Sequence, residues 1–147
     1  LTNLKIIKIT FLFCLTYLAG FSQTIKTIDS LETQYQSCLD QGDRMLRCSE
    51  TFYYQIDSLL NVRYKKLRSM CDSTQKKNLK SEQLAWLSKR DKQFKSYRQQ
   101  VYKEAKKGGY NGGEDETMII TDKNAQFVKA RLIELIKSLP KDYSIAK

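Results

Sequence analysis

Histidine is absent from the 147 residues, and there is one proline and only six glycines. Without histidine the usual general base, the Ser–His and Cys–His nucleophile pairs and most zinc sites are lost. So few turn formers cannot serve the many tight turns of a sandwich or barrel. Acidic residues are also in deficit, 16 against 26 Lys plus Arg, for a net charge of +10. The composition therefore argues against an enzyme and an all-β fold, and no cofactor or metal is expected. What remains is 41% hydrophobic, enough for one modest core, in a chain whose length suits a single domain.

The first 23 residues read as a separate segment. Lys5 and Lys8 precede an apolar run from Ile9 to Phe21, and small or polar residues follow at Ala19, Gly20, Ser22 and Gln23. A basic start, a short apolar stretch and a small-residue exit are the pattern of a cleavable signal peptide. The run is short of the roughly 20 apolar residues that span a bilayer. The expectation is a periplasmic or secreted protein spanning residues 24–147, with no transmembrane segment after signal removal.

Charge in that remainder is uneven. Residues 63–107 hold fifteen basic and four acidic side chains, which reads either as a solvated helix face or as a surface for anionic partners. Apolar residues recur at helical spacing. Ile25, Ile28, Leu31, Tyr35 and Leu39 mark one helix, and Tyr53, Ile56, Leu60, Tyr64, Leu67 and Cys71 mark a long one over about 44–71. Between them Gln41-Gly42-Asp43 offers a break, with Asp43 placed to cap the second helix. Asp72 and Gln75 form a capping-box pattern, opening a third helix on Leu79, Gln83, Trp86, Arg90, Phe94, Tyr97 and Val101. Gly108-Gly109 ends it, and Tyr110–Thr117 reads as a glycine-rich acidic loop. Glu114-Asp115-Glu116 in that loop read as a solvated tip, without the ligand spacing of a calcium loop. Ala125, Val128, Leu132, Leu135 and Leu139 define a last helix that Pro140 stops. The predicted fold is all-α: an elongated antiparallel helical hairpin, shorter flanking helices and one disulfide.

Three cysteines lie beyond the signal. Cys48 and Cys71 are roughly 34 Å apart if both sit on one helix rising 1.5 Å per residue, whereas Cys38 and Cys48 flank the Gly42 turn and are expected to pair. Cys71 then reads as a buried, unreactive thiol. Folding the hairpin at about residue 73 sets Asp57 opposite Arg90, Asn61 opposite Trp86 and Tyr64 opposite Gln83. Polar groups in such a seam must satisfy one another. The expected result is a structural polar ladder, with a polar binding pocket as the alternative.

These residues also carry a resemblance. Asp57, Leu60, Asn61, Tyr64 and Leu67 resemble the D-x-x-L-N-x-x-Y-x-x-L signature of LprI-type lysozyme-inhibitor domains. Leu79, Gln83, Trp86, Arg90 and Asp91 are similar to that family's L-x-x-x-Q-x-x-W-x-x-x-R-D segment. The likeness runs from about Cys38 to Leu139. It departs where the family usually places a second cysteine pair: Phe94 holds one of those positions, and no cysteine follows Cys71. The resemblance implies a small exported bacterial envelope protein that inhibits lysozyme. Charge tempers this, because a basic chain is repelled at long range by a basic lysozyme. The leading expectation is non-catalytic binding to anionic envelope glycan or lipid, with lysozyme inhibition as the alternative. Lys76, Lys77, Lys80, Tyr110 and Asn111 are the candidate contacts. Nucleic acid is not expected as a partner of an exported chain.

Overall fold

A computed structural model describes residues 25–109 and 112–145. The expected signal segment, Tyr110 and Asn111 lie outside the described residues. The described chain is all-α, as its periodicity predicts, and contains no strand. Helix α1 covers 25–40, α2 Met45–Ser69, α3 Ser73–Lys107 and α4 Glu114–Lys137, followed by a 3-10 turn at Pro140–Tyr143.

Local chemistry explains most boundaries. Gly42 adopts φ 69° after α1, a conformation that costs a residue without Cβ little. The Asp72 carboxylate accepts from the Gln75 amide at 2.8 Å while Gln75 Oε1 accepts from the Asp72 amide at 2.9 Å. This is the capping box read from the sequence, and it sets the hairpin turn between α2 and α3. Two boundaries differ from expectation. Asp43 does not cap α2; its carboxylate accepts from Arg44 Nε at 3.2 Å, and Arg44 occupies the cap position at φ 50° without a side-chain cap bond. Glu114, Asp115 and Glu116 form the first turn of α4 rather than a loop, where negative side chains are favoured by the positive end of the helix dipole.

Helices α2 and α3 run antiparallel, with the Tyr53 and Phe94 rings 6.2 Å apart. The body of the fold is the close pair α2 and α4, which run parallel. Phe52, Ile56, Leu60 and Leu67 from α2 meet Ala125, Val128, Leu132 and Leu135 from α4, all buried. Ile28 of α1 and Leu79 of α3 close the core from either side. At 24 residues α4 nearly equals α2 in length, so the last helix is a central member. Among the described residues no helix is long and apolar enough to cross a membrane.

Cys38 and Cys48 are disulfide-bonded across the Gly42 turn, with Cα atoms 5.9 Å apart. Cys71 is a buried free thiol, its Sγ directed at the Leu67 carbonyl oxygen 3.3 Å away. At Phe94, where the resemblance would place a further cysteine, ring packing is found instead. Phe94 meets Phe127 edge-on at 6.2 Å, and Phe127 stacks on Trp86 at 6.0 Å. Arg63 of α2 donates to the carbonyls of Leu135, Ile136 and Ser138 at 2.9, 3.0 and 3.3 Å, satisfying acceptors that a helix end leaves open. Asn78 holds the Tyr143 carbonyl at 2.9 Å, tying the C-terminal turn to α3.

Candidate functional site

The residues of the expected ladder are ordered, but their partners are different. Asp57 accepts from Asn61 Nδ2, one turn along the same helix, at 3.1 Å. Arg90 donates to Asp91 from Nε and Nη2 at 3.0 and 2.7 Å. Neither pair crosses the hairpin, so the Asp57–Arg90 ion pair is replaced by contacts within each helix. Both groups instead flank Tyr53, whose phenol is pushed above its ordinary value by burial, with the Asp57 charge adding and the Arg90 charge opposing. Gln83 does not meet Tyr64, which packs against the core. Its Oε1 accepts from Arg131 Nε and Nη2 at 3.2 and 3.1 Å.

The physical reason is α4. Opposing positions in a two-helix hairpin face each other only if nothing lies between them, and here Phe127 and Arg131 enter beside α3. Among the described residues Arg131 is the one buried charged residue, 6% exposed. It bonds Glu82 at 3.0 Å and Glu134 at 3.1 Å besides Gln83. Its guanidinium lies 5.9 Å from the Trp86 ring centre, and that of Arg90 lies 5.8 Å from it. Trp86 is thus flanked by two cations, and Gln83, Trp86 and Arg131 together lock α3 to α4. Sequence reading missed Arg131 as the hub, although a cation on the inward stripe of α4 was a visible signal. It missed Arg63 too, whose partners are backbone carbonyls that leave no sequence trace.

The surface has two features of interest. The first is the outer side of α3, where Lys77, Lys80, Lys89, Lys92, Lys95, Arg98 and Lys103 are exposed and Lys76 is half-buried. From Lys76 to Lys103 along α3 this stripe extends roughly 40 Å at 1.5 Å per residue. The second is a cleft of about 530 Å³ beside the disulfide, lined by Gln34, Gln41, Arg44, Arg47, Thr51 and Gln55 among others. The described residues hold no cluster of three or more His, Cys, Asp or Glu side chains suited to a metal ion.

The described residues thus form a disulfide-braced helical domain with a basic face on α3 and a polar lock between α3 and α4. The family model described as Lysozyme inhibitor LprI matches residues 32–135, most of the chain. The chain belongs to that family. No curated protein and no solved structure matches it.

Proposed function

We propose that the protein is a non-catalytic, exported inhibitor of lysozyme. Membership of the LprI family over residues 32–135 carries this reading. Lysozyme's cleft presents two carboxylates that need access to the glycosidic bond. A basic side chain seated between them would exclude the glycan. Lys77 and Lys80, exposed on the first turns of α3, are candidate contacts, joined by Lys76, Tyr110 and Asn111. Like-charge repulsion slows encounter with a basic enzyme, but at physiological salt it is screened beyond roughly 8–10 Å, leaving local complementarity to decide affinity.

A second reading is favoured by the exposed lysine face of α3: binding to anionic envelope glycan or lipid, which would shield the wall instead of plugging the enzyme. Lysis of a cell-wall suspension separates the two. An enzyme-directed inhibitor acts at near-stoichiometric concentration, and changing Lys76, Lys77 and Lys80 to Gln alters its potency at every salt level. A polymer-directed shield scales with the amount of wall and fades steeply as salt rises. No slowing of lysis by either route would reject the family-based reading.

A further inference from the structure

The outer side of α1 and α2 carries a groove that the α3–α4 lock does not use. Its polar end is the cleft by the disulfide, floored by Tyr35, Phe52 and Cys38–Cys48 and walled by Gln34, Gln55, Arg44 and Arg47. Thr51 and Gln55 also line a shallower apolar groove of about 500 Å³ with Leu31, Tyr54 and Leu59. The two therefore adjoin along the Thr51–Gln55 edge of α2. Tyr54 is 69% exposed, the most exposed aromatic among the described residues, and Arg47 is exposed two turns before it on the same face of α2. Arg44 is held by Asp43 in an ion pair exposed on both sides, a weak contact that an incoming anion can displace.

We propose that this groove binds a carboxylate-bearing glycan of acetamido sugars. Each part of the ligand has a counterpart. The tyrosine ring offers a flat face for a sugar ring, the Gln and Thr side chains offer donors and acceptors for hydroxyl and acetamido groups, and the two guanidinium groups take a carboxylate. Both cavities fall in the range that holds small ligands, roughly 300–1,000 Å³. A stable protein partner buries about 800 Å² on each side, whereas cavities of about 530 and 500 Å³ suit a ligand of a few rings. The site is separate from the lysine stripe and does not depend on lysozyme being the target.

The test is titration of the purified protein, followed by amide NMR, with three probes: the N-acetylglucosamine–N-acetylmuramic acid disaccharide, neutral N,N′-diacetylchitobiose and a short oligoglutamate. The acidic disaccharide should shift residues between 31 and 59, and the neutral one should bind about tenfold more weakly, as expected for loss of one charge-assisted contact. Arg44→Gln with Arg47→Gln should erase that preference, and Tyr54→Ala should weaken both sugars, with helix content unchanged. Equal binding of the two sugars, shifts confined to the α3 lysines, or groove shifts with oligoglutamate alone would overturn the proposal. Disaccharide binding without any effect on lysozyme would keep this inference and reject the proposed function. Inhibition without disaccharide binding would do the reverse.

Discussion

Replacing Arg131 should destabilise the fold more than any other single change to a charged residue. The guanidinium is 6% exposed and makes four hydrogen bonds: two to Gln83, one to Glu82 and one to Glu134. Breaking a fully buried pair by removing one partner costs about 3–5 kcal/mol. The Glu82 side chain is 28% exposed and Glu134 63%, so water recovers part of the loss. The expected cost of Arg131→Met, which keeps the apolar stem, is about 2–3 kcal/mol. For a domain of this size that is a fall in Tm of roughly 10 °C. Urea unfolding followed by far-UV circular dichroism gives the global value. Trp86 is the single tryptophan and lies against Arg131, so its emission reports the α3–α4 lock itself. Pairing the change with Gln83→Leu in a double-mutant cycle should give a coupling of about 1 kcal/mol or more. A cost below about 1 kcal/mol, with Trp86 emission unmoved, would refute the lock.

Arg90→Ala should cost only about 1 kcal/mol by the same assay, because its partner Asp91 is 67% exposed and mainly its ring contacts are lost. Cys38→Ala with Cys48→Ala opens a ten-residue separation and should lower stability by about 2–3 kcal/mol in chemical unfolding. Burial raises the Cys71 thiol above its ordinary value, so it should react with a thiol reagent at pH 8 only as fast as the protein opens, and rapidly in denaturant. Burial likewise raises the phenols of Tyr35, Tyr53 and Tyr143 above 10.0. A group whose folded pKa is raised stabilises fully below its unfolded pKa and loses that contribution as pH climbs. The unfolding midpoint should therefore drop above about pH 10, and Tyr53→Phe should soften that drop.

Much of the fold was legible because it is governed by local rules. The stripes Ile56, Leu60, Leu67 and Val128, Leu132, Leu135 are buried as their spacing requires, and the Asp72–Gln75 box and the Gly42 turn with its Cys38–Cys48 bond depend on short sequence separations. The acidic triplet at 114–116 was misplaced because neighbouring glycines suggested a loop, whereas the helix dipole rewards acids in a first turn. The polar seam was misassigned for a different reason. Antiparallel register says which residues lie level, not which third element stands between them. Gln83 turns to Arg131 because α4 packs beside α3, and the sequence gives no rule for that choice. The cleft beside the disulfide was least legible of all, since Gln34, Gln55, Arg44 and Arg47 are ordinary surface residues until α1 and α2 bring them together.

Inhibition through binding rather than catalysis can be measured with a soluble chitooligosaccharide substrate, which removes the anionic wall from the assay. Lysozyme activity measured against increasing amounts of the purified protein should fall and level off at a one-to-one ratio. The protein itself should release no product from that substrate. Full lysozyme activity at a tenfold excess would show that the protein is not an inhibitor of this enzyme.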